Sequence, residues 1–272
     1  MNPNKALWEK GDFTRIAATM RASGEALVRK AGIAPGMKVL DLGCGDGTTA
    51  LPAAALGADV LGIDIASNLV AAARQRAERA GLAQRCAFLE GDACDLAGVE
   101  NASFDRVVSV FGAMFAPRPF DVAREMVRVT RPGGRIVMGN WIPGDPTLVA
   151  QILKISAACM PPPPEGFVSP MTWGVESHVH ERFGRAGVPK EAIACEPDSY
   201  VFEFDGSPAQ FVDTFSRYYG PTMNAFEAAQ RQGGADALRA QLVELFEGQN
   251  QSQYPNTTVI AATFLRVTVQ VR

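Results

Sequence analysis

No run of basic residues occurs in this chain, and 26 Lys and Arg are outnumbered by 29 Asp and Glu, for a formal net charge of −3. Binding to nucleic-acid phosphates rests on clustered cationic side chains, so a nucleic-acid substrate is disfavoured. No apolar stretch approaches the roughly 18 residues that a membrane-spanning helix needs, and no membrane span is expected. The N-terminus, Met1-Asn2-Pro3-Asn4-Lys5 followed by Trp8-Glu9-Lys10-Gly11-Asp12, lacks the apolar segment of a secretory signal. Cysteine is sparse: Cys44, Cys86, Cys94, Cys159 and Cys195 are odd in number, scattered, and never in a CxxC pair. Neither a disulfide framework nor a thiolate metal site is expected, and reduced thiols in a cytoplasm are the simplest account. Histidine is scarcer still. His178 and His180 stand two apart on an expected helix, where they do not face each other. A metal pair is therefore not expected, and a solvated helix face is the plainer reading.

What is present is ordinary globular composition, 47% hydrophobic and 20% charged over 272 residues, enough for one large domain or a domain with an insertion. No internal repeat appears. Phe13, Ile16, Ala17, Met20 and Leu27 recur at helical spacing, which predicts a helix from about Phe13 to Ile33. An alternation follows. Strands are expected over Lys38–Leu42, Asp59–Ile65, Arg85–Glu90, Phe104–Phe111 and Gly134–Trp141, with helices over Thr48–Leu56, Asn68–Ala80 and Phe120–Thr130. Apolar strands separated by helices predict a Rossmann-like, doubly wound α/β sheet.

Beyond it, Pro161-Pro162-Pro163-Pro164 predicts a stiff loop. A helix is expected over Glu176–Ala186 and a strand over Ser199–Phe204. A helical stretch runs from Pro208 to about Gln249, interrupted by Tyr219-Gly220-Pro221 and Gly233-Gly234, and a β-branched strand from Thr258 to Val271. The organisation expected is an N-terminal helical cap (1–33), a core (34–142), and a C-terminal part of the same domain (143–272) whose insertion at about 208–249 forms a substrate lid.

The chemistry-bearing segment is Val39-Leu40-Asp41-Leu42-Gly43-Cys44-Gly45-Asp46-Gly47, at the junction of the first strand and a helix. Glycines there let a ligand approach the backbone at the carboxyl edge of an open sheet. Asp64 ends the next strand, close to the ~20-residue spacing at which nucleoside-binding folds place an acid on the ribose hydroxyls. A dinucleotide site uses G-x-G-x-x-G to seat a pyrophosphate on the helix N-terminus. Here Gly43, Gly45 and Gly47 form G-x-G-x-G, and Asp46 would present like charge to a pyrophosphate.

With these residues the chain resembles the class I SAM-dependent methyltransferases. The glycine segment resembles their first motif, and Asp64 in Gly62-Ile63-Asp64-Ile65 matches their ribose acid. Gly91-Asp92-Ala93 matches their adenine-reading segment, Phe104-Asp105-Arg106-Val107-Val108 their fourth motif, and Arg131-Pro132-Gly133-Gly134 the turn before the fifth strand. The resemblance covers roughly 34–142. The flanks, including Trp8-Glu9-Lys10-Gly11-Asp12-Phe13, look like the ubiquinone/menaquinone-methyltransferase-like branch.

The resemblance implies S-adenosylmethionine as cofactor, S-adenosylhomocysteine as product, and a mostly parallel sheet with an antiparallel last strand. It implies a cofactor site of Asp41, Gly43, Cys44, Gly45, Asp64, Ile65, Gly91, Asp92, Ala93, Val110 and Phe111. Asp41 would accept backbone N–H groups and support the methionine end. Cys44 reads as a small residue tolerated in the turn.

Phe13, Met114, Phe115 and Trp141 are expected in the acceptor pocket, with plain core packing as the alternative. Trp8, Tyr218, Tyr219 and Tyr254 would line a lid or pocket on the same terms. No residue is singled out as a general base. Ser109-Val110-Phe111-Gly112 does not match the [DNS]PP[YFW] of DNA-amine methyltransferases, and the cysteines do not match the arsenite enzymes. The expected partner is a small, apolar or aromatic acceptor. Two other functions stay open: a nicotinamide-dependent oxidoreductase on the same fold, and a SAM-binding protein without transferase activity.

Overall fold

The computed structural model describes residue 2 and residues 4–272; Met1 and Pro3, part of the expected cap, lie outside the described residues. Three short helices, α1 (Lys5–Trp8), α2 (Thr14–Ala17) and α3 (Arg21–Lys30), precede β1 (Lys38–Leu42). Next come α4 (Ala50–Ala55), β2 (Asp59–Asp64), α5 (Ser67–Arg79), β3 (Cys86–Glu90), β4 (Phe104–Val110), α6 (Pro119–Val129) and β5 (Thr130–Trp141). Helices α7 (Leu148–Ala158) and α8 (Glu176–Arg185) lead to β6 (Ile193–Phe204). Helices α9 (Pro208–Tyr218), α10 (Gly220–Arg231) and α11 (Ala235–Gln249) then intervene before β7 (Thr258–Gln270). No helix of the described residues is long and apolar enough to cross a membrane.

The seven strands form one sheet in the order β3-β2-β1-β4-β5-β7-β6. β1 to β5 pair in parallel, and β7 runs antiparallel to both β5 and β6. The expected Rossmann-like sheet with an antiparallel last strand is therefore the observed one. Both faces are buried. Leu40, Val107 and Ile136 pack on the side of Val122, Met126 and Val129 from α6. Their neighbours Val39, Val108 and Val137 pack on the opposite side, with Val28 from α3, Ala53 from α4 and Ala73 from α5. Helices on both faces leave only the strand ends open for a ligand.

Three elements differ from expectation. The single helix over Phe13–Ile33 is interrupted by a 3-10 turn at Ala18–Met20. There the buried Thr19 hydroxyl donates to the Ile16 carbonyl at 2.7 Å. Such local back-bonding competes with regular helix and bends the chain. β6 begins at Ile193, not Ser199, because it is an edge strand paired to β7 along its whole length, from Ile193↔Val269 to Phe204↔Thr258. An edge strand tolerates Pro197, and its exposed charges hide the alternation: Glu196 and Asp198 pair with Arg266. β5 begins at Thr130, ahead of the expected turn, with a register shift opposite Phe104–Arg106.

The stretch from Pro208 breaks where Tyr219-Gly220-Pro221 and Gly233-Gly234 are written, giving three helices. α9 opens with a capping box between Ser207 and Gln210. Its Phe211 and Phe215 meet Phe246 of α11, both at 5.4 Å between ring centroids. Phe246→Ala should cost about 3–5 kcal/mol, the usual price of emptying a buried phenylalanine site. Urea unfolding of the variant would read this as a lowered midpoint; a change below 1 kcal/mol would mean that the three-helix unit does not depend on that ring cluster.

Candidate functional site

β1 must turn sharply into α4, and the turn uses left-handed backbone that only glycine adopts without strain. Gly43, Gly45 and Gly47 have φ of +74°, +54° and +83°. At Gly43 the constraint is doubled, since a Cβ would lie 2.6 Å from the Gly112 Cα. A Cβ on Gly112 would in turn lie 2.5 Å from the Gly43 carbonyl oxygen. The exits of β1 and β4 thus touch backbone to backbone. The Gly43 N–H donates to the Ile63 carbonyl at 2.7 Å, tying the turn to β2 as well.

Asp64, at the end of β2, is 8% exposed. One carboxylate oxygen accepts from the Gly45 N–H at 2.8 Å and the other from the Ala66 N–H at 2.9 Å. It is therefore the strut between the glycine turn and the start of α5. Each oxygen retains lone-pair capacity for a ligand hydroxyl.

These elements line an open cleft along the carboxyl edge of the sheet, about 940 Å³ of empty space including the solvent at its mouth. Of the expected cofactor residues, Gly43, Cys44, Gly45, Asp64 and Ile65, at the exits of β1 and β2, line it. Gly91, Asp92 and Ala93 after β3 line it on one flank of these, and Val110 and Phe111 at the end of β4 on the other. Asp41 lies beneath the turn and is not in the lining. An adjoining chamber of about 340 Å³ shares Trp8, Phe13, Met20, Phe111 and Phe115 with the cleft. Trp141 lines only this chamber.

Met114, expected beside them, faces the other way. It is 1% exposed, belongs to the core, and lines neither cavity. The 3-10 turn Ala113–Phe115 points neighbouring side chains in different directions.

Phe111 is the pivot between the two cavities. Its φ is +56°, a conformation that costs a non-glycine residue on the order of 1–3 kcal/mol. The ring is stacked on Trp141 at 3.6 Å between centroids and meets Tyr200 and Phe264 edge-on at 5.0 and 5.3 Å. The Ser109 hydroxyl accepts from the Ala113 N–H at 2.9 Å and fixes the turn.

The N-terminal segment closes the mouth. Asn2 donates to Asp92 at 3.1 Å, Asn4 donates to the Phe115 carbonyl, and Glu9 accepts from the Ser67 hydroxyl at 2.7 Å. Asp92 also accepts from the Cys94 N–H at 2.9 Å, so it serves as a turn residue as well.

Burial dominates the electrostatics. Asp41 is buried, one of its oxygens has no hydrogen-bond partner among the described residues, and burial followed by the nearby Asp64 charge pushes its carboxyl up to about 8. Asp64 is also raised, first by burial. Burial and the surrounding carboxylates push the Cys44 thiol well up, so it is no nucleophile at neutral pH.

The expected repulsion between Asp46 and a pyrophosphate needs correction. Asp46 is 1% exposed and paired with both Arg21 and Arg76, so its charge is compensated within the protein. Neither histidine lines either cavity; His180 contacts Glu176 at 3.2 Å on its own helix.

Sequence reasoning gave no role to Tyr200, Thr48 and Asn2 in the cleft, or to Phe202, Phe215 and Val149 in the chamber. The alternation of Tyr200 and Phe202 on β6 was a usable signal, since residues two apart share a face. Trp8 and Tyr219 do line the chamber, whereas Tyr254 is 73% exposed and Tyr218 lines neither cavity.

A family profile described as "Methyltransferase domain" matches residues 40–138. An uncharacterised protein of Mycobacterium tuberculosis is 33% identical over 244 residues, 89% of this chain and 86% of its own length. Methyltransferase GfsG of Streptomyces halstedii is 38% identical over 122 residues, 43% of this chain and 42% of its own. Among solved structures, Haemonchus contortus phosphoethanolamine N-methyltransferase 2, in complex with phosphomonomethylethanolamine and S-adenosylhomocysteine, shares the fold. Its TM-score is 0.58 at 18% identity, covering 92% of this chain and 53% of that one.

The raised Asp41 carboxyl has a consequence for stability. The folded protein keeps a proton that the unfolded chain releases near the ordinary carboxylate pKa. Its contribution is full below about pH 4 and is lost as pH rises towards 8. Asp41→Asn removes that proton, so its stability relative to wild type should improve by roughly 1.4 kcal/mol per pH unit across this window. Urea unfolding of both proteins at pH 5 and pH 8 checks this; parallel pH dependences would mean that Asp41 is ionised in the fold.

Proposed function

We infer that this chain, which belongs to the class I SAM-dependent methyltransferases, transfers a methyl group from S-adenosylmethionine to a small, apolar or aromatic metabolite. The observation that carries the acceptor class is the junction of the two cavities. A polar-edged cleft able to hold a nucleoside meets a chamber walled almost entirely by aromatic rings, and five residues belong to both.

The site suits this cofactor. The close Gly43–Gly112 approach leaves a bare backbone cradle, and Asp64 faces the cleft from the end of β2. Asp64 would take the ribose hydroxyls, while Asp92 and the Ala93 N–H would read the adenine. Asp41 would steady the glycine turn from below. When bound, the cofactor supplies an activated methyl group on a cationic sulfur.

The faces of Phe111 and Phe115 at the junction would favour that cation, as aromatic faces do within ~6 Å. Among the described residues no carboxylate, histidine or cysteine lines the chamber, which supports a contribution to catalysis by positioning and the exclusion of water. Phe215 and Tyr219 bring α9 and the start of α10 into the chamber wall, which supports a lid role for the insertion at 208–249. A quinone-like or other O- or N-methylated ring fits such a lining. The compensated charge on Asp46 removes one objection to a dinucleotide, so NAD belongs in the same test.

Calorimetric titration with S-adenosylhomocysteine, S-adenosylmethionine and NAD should give micromolar binding of the first two only. In Asp64→Ala, losing two hydrogen bonds to a charged group should weaken binding on the order of a hundredfold. Binding of NAD alone would move the chain to the oxidoreductase reading.

A further inference from the structure

Among the described residues that line the chamber, Tyr219 alone carries a side-chain oxygen; the others are hydrocarbon, thioether or indole. Its ring is packed between Phe215 at 5.5 Å and Trp8 and Phe13, both at 6.1 Å, and the residue is 5% exposed. Packing accounts for the ring but not for the hydroxyl. A phenylalanine would fill the same space without placing a polar group among aromatic walls, where an unpartnered hydroxyl is destabilising. Burial alone raises the phenol, with no hydrogen bond or charge acting on it, so it is neutral and able to donate.

We propose that Tyr219 is the specificity-determining residue of the acceptor chamber: its hydroxyl donates a hydrogen bond to one oxygen of a planar, otherwise apolar ring and fixes which edge of that ring faces the methyl donor. The acceptor class is thereby narrowed to aromatic or quinoid rings bearing a hydroxyl or keto oxygen. A ring wholly without polar atoms would enter the chamber in several orientations, whereas one anchored by an oxygen presents a single edge at the Phe111–Phe115 junction. Restricting orientation in this way is what in-line transfer requires. The proposal rests on the methyl-transfer reading of the adjoining cleft.

The test separates the two. S-adenosylhomocysteine binding by calorimetry reports on the cleft. Binding of 2-naphthol against its isostere 2-methylnaphthalene, followed by quenching of tryptophan fluorescence, reports on Tyr219. Wild type should prefer 2-naphthol about tenfold, and Tyr219→Phe should bind both probes equally while keeping its melting temperature and its S-adenosylhomocysteine affinity. Three results would overturn the proposal: equal binding of the probes by wild type, a naphthol preference that survives in Tyr219→Phe (which would assign it to the indole N–H of Trp8 or Trp141), or no binding of either probe. Failure of S-adenosylhomocysteine to bind, with the naphthol preference intact in wild type and lost in the variant, would instead remove the methyl-transfer reading and leave an aromatic-binding chamber read by Tyr219.

Discussion

The backbone contact between Gly43 and Gly112 is the constraint on which the site depends. It joins the ends of β1 and β4, the two central parallel strands, with no side chain between them. On one side of it the glycine turn opens the cleft. On the other, the chain leaving β4 has no room to continue as regular strand, and Phe111 adopts left-handed backbone immediately before Gly112. That turn carries the Phe111 ring onto Trp141, where the stack becomes a wall of the chamber. One close approach thus sets both the bare glycine wall of the cleft and the position of the ring dividing it from the aromatic chamber. The strain at Phe111 is sustained by the aromatic packing around it and by the Ser109–Ala113 hydrogen bond.

The carboxylates beneath the cleft follow a related logic. Asp41, Asp46 and Asp64 lie within one turn of chain and its neighbouring strand, and all three are buried. Three buried negative charges so close would be strongly unfavourable. The fold meets this differently at each. Asp46 is neutralised by two arginines, one from the N-terminal helices and one from α5. Asp64 accepts two backbone N–H groups. Asp41 has no cation beside it and one oxygen without a partner among the described residues, and burial pushes its carboxyl up to about 8 despite the Ala50 N–H. Arg21 therefore does more than decorate the surface: it ties the N-terminal helices to the glycine turn.

Much of this arrangement was legible in the sequence because it rests on short-range pattern. The β1 segment, its three glycines and Asp64 lie within 26 residues, from Val39 to Asp64, and their spacing is fixed by one strand-turn-helix-strand unit. The breaks at Gly220-Pro221 and Gly233-Gly234 were legible for the same reason. What escaped depended on long-range contact. The charge on Asp46 looked uncompensated because its partners stand 25 and 30 positions away. Met114 looked like a pocket residue because its neighbours Phe111 and Phe115 are, but a 3-10 turn sends it into the core. The first half of β6 was hidden because its alternation is carried by charges that pair with Arg266 and Lys30 rather than by apolar side chains.

The chamber shows why the acceptor is the least legible feature of such a chain. Its walls come from α1, the segment from Phe13 through α2 to Met20, the turn after β4, the end of β5, α7, β6, α9 and the α9–α10 junction, spread from Trp8 to Tyr219. No local spacing rule links those positions, since each occupies its place through the packing of its own element. The same dispersal has a functional side. Trp8 is in contact with Phe13, Phe115 and Tyr219 at once, with centroids 5.6, 4.8 and 6.1 Å apart. Through this indole, and through Lys10 on Asn224 and Glu227, the N-terminal segment that lines the cleft meets the helices that supply Phe215 and Tyr219 to the chamber.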